Sequence, residues 1–509
     1  MRIVVASSEA VPFSKTGGLA DVATALADAV ANLGHSVWVV TPYYPQVHAH
    51  NSSTNGFATE PTGIHLEIPI GTRHVTGTAR RARLPGSSVT FFLIEQPGYF
   101  DRPALYQQHG ADYRDNCERF VFFSRAVLAL SKEIRLRPDV VHANDWQTGL
   151  IPALLAVEGR ELDTFETTAS VFTIHNMAFR GMFWHWDMLL TGLDWKYFNW
   201  RQMEFYNQLC LLKTGIAFAD ALTTVSPTYA RETQTPEFGY GLDGVLRSRR
   251  DDFVGILNGV DTKIWNPQTD SALPGNYSIV DVEEGKRACK RQLQLELGLP
   301  QREDVPLLAV VSRLTDQKGL DLIMQGSETL LSRDLQLCVL GSGDAKYQDG
   351  LKALAQRAPD KVAIRIGFDE GLAHRIEAGA DIFLMPSQFE PCGLNQMYSL
   401  LYGTLPLVRA VGGLADSVVD ASADNIAHGT ATGFSFTGYS ADELLKTIDR
   451  ALALFADKQE WLRIVRSGMN QDWSWRRSAL QYIRVYERAV AKRCASLAAP
   501  TIASSVAVT

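Results

Sequence analysis

At 509 residues the chain is too long for one hydrophobic core and fits two α/β domains. Its 46% hydrophobic and 21% charged content is that of an ordinary globular enzyme, and a net charge of −7 argues against a nucleic-acid binder. Six scattered cysteines (Cys117, Cys210, Cys289, Cys338, Cys392 and Cys494), with no C-x-x-C pair and no histidine at zinc-ligand spacing, favour a reducing compartment and no structural metal.

The chain opens on strand-like residues, Arg2–Ser7, and no apolar stretch reaches membrane-spanning length, so no membrane partner is expected and the cytoplasm is the expected compartment. A loop with Pro12 and a Gly-Gly pair follows, then an amphipathic helical run ending at Gly34 and a second strand over 36–40. This strand–loop–helix–strand order is the unit of a parallel sheet. Val89–Ile94, Val140–Ala143, Val171–Ile174 and Leu222–Val225 are further buried-strand candidates. The turn at Asn258-Gly259 and a polar Pro/Gly stretch over 266–277 break the pattern. Strand candidates then resume at Leu307–Ser312, Leu335–Leu340, Val362–Ile366, Ile382–Met385 and Leu405–Arg409. The expected fold is therefore α/β, with two Rossmann-like doubly wound domains over 1–250 and 258–473 and a ligand cleft between them. A helical pattern over 474–495 places Trp475, Leu480, Ile483 and Tyr486 on one face, and 496–509 reads as a disordered tail.

One pentapeptide occurs twice, as Gly17-Gly18-Leu19-Ala20-Asp21 and as Gly412-Gly413-Leu414-Ala415-Asp416, each after a strand and at the start of a helix. Glycines at a helix start leave amides open to a phosphate or another oxygen-rich group. Lys15 precedes the first copy, but neither a Walker A lysine nor G-x-G-x-x-G is present, and a solvated turn lysine fits the spacing equally well. Arg313 and Lys318 follow the strand Leu307–Ser312, where open α/β sheets bind ligands, and would suit a diphosphate; taken alone, the segment reads more readily as a pair of solvated cations. Glu390 precedes a helix start that would favour its charge, or it is a capping carboxylate. Cys392 beside it reads as a packing residue. Asp145 and His175 end strands of the first half and are also compatible with a helix cap and a core histidine. No Asp-x-Asp pair occurs, so a metal-held nucleotide diphosphate is not supported; charge on a leaving diphosphate would fall to Arg, Lys and helix amides.

Together these stretches resemble the glycogen synthase and starch synthase family, retaining glycosyltransferases of GT-B fold that use ADP-glucose. The resemblance runs from residue 1 to about 490 and rests on Lys15–Asp21, His142–Trp146, His175–Gly181, Thr223–Tyr229, Glu237–Asp243, Asn258–Asp261, Arg313–Gly319, Glu390–Leu394 and Gly403–Asp416. It implies glucose transfer from ADP-glucose to the non-reducing end of glycogen or another α-1,4-glucan primer, with release of ADP and no cofactor or metal. It also implies that the 474–495 helix crosses back to the first domain. By the same resemblance Lys15, with Gly17, Gly18 and Asp21, approaches the nucleotide sugar, and Arg313 and Lys318 neutralise the leaving diphosphate. Glu390 lies at the donor glucose with Cys392, Gly393 and Leu394. His175 sits over the transferred sugar, Asp145 orients donor or acceptor, Asn258 lies in the cleft, and Gly412 and Gly413 offer amides. Tyr99, Phe100 and Tyr106 match a loop that would stack acceptor sugars, although such aromatics are also ordinary packing residues.

The chain departs from many relatives at Asn144 (commonly His), Phe368 (Tyr), Gln388 (Arg) and Val411 (Thr), none of them a proposed phosphate cation. Three other readings compete: a UDP-glucose-using GT-B transferase with a small acceptor; a non-catalytic glucan-binding protein, which Lys15, Arg313, Lys318 and Glu390 together argue against; and, on fold alone, an NAD-dependent oxidoreductase, for which the dinucleotide glycine pattern is missing.

Overall fold

A computed structural model of the chain describes residues 1–46, 58–108, 110–159 and 164–498. They form two compact units: Met1–Val225 with Ala230–Gly259 and the C-terminal segment from Trp475, and Ser226–Tyr229 with Val260–Ser474.

The first unit is built on a nine-stranded sheet. Arg2–Ala6 lies inside it, pairing in parallel with Ser36–Pro42 on one side and with Val140–Asn144 on the other. Beyond Ser36–Pro42 runs Thr90–Glu95; beyond Val140–Asn144 come Ala169–Ile174, Ala221–Thr224 and Phe253–Gly255, all parallel. The runs Ile3–Ala6, Val140–Asn144 and Ala169–Ile174 are buried along their whole length, as expected of strands covered on both faces.

Two long antiparallel strands, Glu60–Ile70 and Arg73–Arg83, extend this sheet beyond Thr90–Glu95 and were not expected from the sequence. Pro61, Gly63 and Pro69 read as breakers, yet the hairpin ends the sheet, and at an edge an unpaired side tolerates proline.

The second unit has six parallel strands in the order Val362–Ile366, Gln336–Gly341, Leu307–Val311, Ile382–Met385, Leu405–Arg409, Phe434–Phe436. Numbered along the chain this is 3-2-1-4-5-6, the Rossmann order, and the winding direction reverses between Leu307–Val311 and Ile382–Met385.

The last helix, Trp475–Ala498, packs on the first unit. Trp475, Ala479, Tyr482, Tyr486 and Ala489 join a core containing Ile3, Val5, Val39 and Leu26. Tyr486 Oη lies 2.9 Å from Nδ1 of the buried His142. Leu480, expected on this face, is exposed; the buried series steps by three or four residues from Trp475 and leaves position 480 about 140° around the helix from its centre. The helix also continues past 495 to Ala498, since Cys-Ala-Ser-Leu-Ala holds no breaker. The rest of the expected tail, 499–509, lies outside the described residues.

Candidate functional site

In the first unit, the loops that leave the carboxyl ends of Arg2–Ala6 and Val140–Asn144 start where the sheet's winding reverses. From the first of these strands the chain enters the Lys15 loop. Lys15 Nζ pairs with Asp21 at 2.8 Å on an open surface. Gly17 is the N-cap of the helix Gly18–Ala31, with no side-chain cap, as a ligand-accepting helix start requires.

The organising group of this loop is a residue that sequence reasoning passed over. Glu9 is almost fully buried, and its Oε2 accepts the amides of Thr16 (2.6 Å) and Gly17 (3.3 Å). Its Oε1 accepts the hydroxyls of Thr16 and Tyr106, both at 2.6 Å. An acidic residue three positions past a central strand was the available signal.

Tyr106, expected among the acceptor aromatics, is therefore a support of the Lys15 loop through Glu9, and Ser8 Oγ lies 2.7 Å from its hydroxyl. The other two aromatics are corrected more strongly. Phe100 is fully buried against Tyr44 and Phe122, and Tyr99 is nearly so, with its hydroxyl bonded to Glu118. The short helix Pro97–Phe100, capped by Gln96, turns both rings inward onto the helix Asn116–Glu133, so neither presents a face for a sugar.

From Val140–Asn144 the chain reaches Asp145, whose φ of 57° and ψ of 179° fall in a region that side chains other than glycine rarely occupy. That backbone turns its buried carboxylate onto the amides of His175 (2.7 Å) and Asn176. Burial outweighs these bonds and pushes the Asp145 carboxyl up to about 7.

His175 Nε2 lies 3.0 Å from Asn144 Oδ1, while Asn144 Nδ2 donates to the Ala6 carbonyl at 3.1 Å. With its amide hydrogens committed there, Asn144 accepts from Nε2–H, so the neutral ring keeps Nδ1 as an acceptor. Burial pulls His175 down to about 3, which makes neutral the working form. The unit therefore brings Asp145 and His175 together, with Asn144 between strand and ring. Asn258 belongs to this unit too, with its buried Oδ1 unsatisfied among the described residues.

In the second unit the two strands at the reversal carry the two candidate segments. Leu307–Val311 leads to Arg313 and Lys318, and Ile382–Met385 to Glu390. Lys318 Nζ meets Glu390 Oε2 at 2.5 Å, and Ser387 Oγ donates to the same oxygen at 3.2 Å. The loops are also joined through Gln317, which accepts from Arg313 (3.2 Å) and donates to the Phe389 carbonyl (3.3 Å). Arg313 is exposed, whereas Glu390 is buried. Nothing in Ser387's position identified it beforehand as a partner of Glu390.

Gly413 behaves differently from the expectation that it offers an amide. The Gly413 amide already donates to the carbonyls of Glu390 (3.2 Å) and Pro391 (3.1 Å). A Cβ at Gly412 would stand 2.0 Å from the Glu390 carbonyl oxygen, and one at Gly413 2.1 Å from that of Cys392. The pair is glycine because the 390–392 loop lies directly on it. Asp416 accepts from the hydroxyls of Ser226 (2.6 Å) and Thr228 (2.7 Å), whereas its counterpart Asp21 takes Lys15. Cys392 keeps its side chain inward; Gly393, in the left-handed region, and Leu394 lead into the helix Asn395–Tyr402.

Comparison with known proteins addresses both units. Residues 2–248 match the starch synthase catalytic domain family, and 298–462 match glycosyl transferases group 1. The chain is 49% identical to a glycogen synthase of Anaeromyxobacter dehalogenans, over 96% of this chain and 98% of that protein. It is 46% identical to one from Syntrophotalea carbinolica, over 96% and 99%. Among solved structures, the catalytic domain of starch synthase IV from Arabidopsis thaliana, bound to ADP and acarbose, matches with a TM-score of 0.87 at 32% identity, over 96% and 99% of the two chains. A sucrose-phosphate synthase from Thermosynechococcus elongatus shares the fold at a TM-score of 0.57 and 18% identity. Identity of this degree, sustained across two units with Rossmann-type strand order, places the chain in the glycogen synthase and starch synthase family of GT-B glycosyltransferases.

Proposed function

We propose that the protein transfers glucose from ADP-glucose to the non-reducing end of an α-1,4-glucan such as glycogen, with retention of configuration and release of ADP. The observation that carries this reading is the Lys318–Glu390 pair at the strand reversal of the second unit, with Arg313 on the adjoining loop. Departure of a nucleoside diphosphate develops negative charge, and a lysine and an arginine at this point meet it without a divalent ion. A carboxylate beside them stabilises positive charge at the anomeric carbon. Retention through a covalent intermediate needs a free nucleophilic carboxylate about 5–5.5 Å from a second one. Glu390 is instead held by Lys318 and Ser387, which supports an electrostatic and positioning role in a front-face displacement.

In the first unit neutral His175 presents Nδ1 as an acceptor for a sugar hydroxyl, Asp145 holds the His175 loop, and Lys15 leaves Asp21 for the donor. Gly17, Gly18 and Asn258 complete the donor contacts, as do Cys392, Gly393, Leu394 and Gly412 in the second unit. The described residues include no helix long and apolar enough to cross a membrane, and all six cysteines are unbridged, which supports a cytoplasmic setting.

The test is transfer of labelled glucose onto glycogen from ADP-glucose and from UDP-glucose, with and without chelator, beside Glu390→Ala and Lys15→Ala. ADP-glucose should be the better donor, the chelator without effect and both variants impaired. Unimpaired variants, or a trapped glucosyl-Glu390 species, would overturn the assignment of roles.

A further inference from the structure

The exposed aromatic side chains are concentrated in one stretch. Phe179, Trp184, Trp186, Trp195, Trp200 and Tyr206 all fall within residues 179–206, and among the described residues Phe368 is the one exposed large aromatic elsewhere. Three of the tryptophans belong to a continuous series. Ring centroids are 6.4 Å apart for Trp184 and Trp186, 5.5 Å for Trp186 and Trp195, and 5.1 Å for Trp195 and Phe198, with His185 between the first two. The rings are tilted rather than stacked on one another, and they keep 62%, 48% and 41% of their surface open at Trp184, Trp186 and Trp195.

The series rests on a rigid frame. Met182–Trp184 pairs with Gln208–Cys210, which pairs in turn with Glu204–Phe205. The Leu211 and Leu212 amides donate to the carbonyls of Gly181 and Arg180, so the frame is continuous with the His175–Gly181 loop. Three acidic and two basic residues over 184–206 leave the stretch close to neutral.

An exposed apolar surface of this extent marks a binding site rather than ordinary surface. Its chemistry selects the occupant. Flat indole faces stack on the C–H faces of pyranose rings; His185 lies beside Trp184 and Trp186, and Asp187, Asp194 and Lys196 adjoin the tryptophans in sequence with groups that bond hydroxyls. A near-neutral surface suits an uncharged polymer and lacks the cations a nucleic acid or anionic membrane would require.

We propose that Trp184, Trp186 and Trp195 form a second glucan-binding platform on the first unit, gripping a stretch of the acceptor chain apart from its reacting end. The proposal rests on the reading of the acceptor as an α-1,4-glucan, and it gives a polymeric primer a hold that a short oligosaccharide cannot use.

The test is native electrophoresis through gels containing glycogen, together with transfer kinetics on glycogen and on a short maltooligosaccharide. Trp184→Ala/Trp186→Ala and, separately, Trp195→Ala are compared with wild type. The double variant should bind glycogen about fivefold more weakly or worse and show a matching rise in KM for glycogen. Its kcat on the short primer should be unchanged, which also shows that it folds. Equal retardation of variant and wild type, with transfer intact, would overturn the platform alone. A variant that keeps its retardation but loses self-association in sedimentation would also overturn it, assigning the surface to a second copy of the chain. A wild type that transfers glucose to no glucan would overturn the acceptor reading itself.

Discussion

Lys318 and Glu390 lie 72 positions apart in sequence, yet their charged groups meet at 2.5 Å because their strands flank the point where the second sheet reverses direction. The pair is largely withdrawn from solvent, with side-chain exposures of 18% and 8%.

Removing one partner of such a pair leaves the other buried and uncompensated, at a cost of about 3–5 kcal/mol. Glu390→Ala should therefore lower kcat by about 10²–10³-fold and also lower Tm. Lys318→Ala should do the same, and the double variant should be more stable than either single one. Kinetics of ADP release and thermal melts on the three variants check this; strictly additive stability losses would contradict the coupling.

Lys15 and Asp21 form the opposite kind of pair, exposed at 52% and 31%. Exposed pairs contribute about 0–1 kcal/mol, so Lys15→Ala should leave Tm almost unchanged while raising KM for ADP-glucose and lowering kcat. Asp21→Ala should free Lys15 and leave donor binding equal or tighter. Melting curves beside donor titrations distinguish a ligand lysine from a structural one.

The repeated pentapeptide gives a paired glycine test. Gly17 has an extended φ of −154°, and an added Cβ there meets nothing within 4 Å. Gly17→Ala should change stability by less than about 1 kcal/mol. At Gly412 φ is +45° and the Cβ would collide with the Glu390 carbonyl oxygen at 2.0 Å. Gly412→Ala should cost roughly 4 kcal/mol or more and abolish transfer, read by denaturant unfolding and activity.

The buried histidines predict acid sensitivity. Burial holds both His142 and His175 down to about 3, against an ordinary value of 6.5. Above 6.5 both folded and unfolded forms are neutral. As pH falls, the unfolded chain takes up two protons that the folded chain refuses, so stability declines from about 6.5 towards 3. Asp145, raised to about 7, opposes this with one proton bound in the folded state as pH falls below that value. His142→Gln should flatten the slope in this window by about 1.4 kcal/mol per pH unit. Urea unfolding at stepped pH measures it.

Much of the architecture was legible in the chain because fully buried parallel strands are continuous apolar runs, as at Leu307–Val311 and Ile382–Met385. The hairpin Glu60–Arg83 was not, because an edge strand tolerates the prolines and glycine that signal a break elsewhere. Arg313, Lys318, Glu390, Asp145 and His175 stood out as candidates because each follows a strand and belongs to a family motif, while the contacts Lys318–Glu390 and Asp145–His175 came only from the fold. Tyr99 and Phe100 were misread because an aromatic pair in a loop has the same sequence signature whether its rings face water or the core.

The repeated Gly-Gly-Leu-Ala-Asp shows where the boundary falls. Local chemistry is enough to place a helix start and a permissive backbone at each copy, since those depend on a few adjacent residues. Only the folded chain makes the copies different. The first amide cluster closes on Glu9, which reaches it from the end of the first strand. The second is pressed against the Glu390 loop, more than twenty residues upstream, by the packing of neighbouring strand ends. Which amides stay open to a ligand, and which carboxylate meets which cation, depends on long-range contacts that no local pattern encodes.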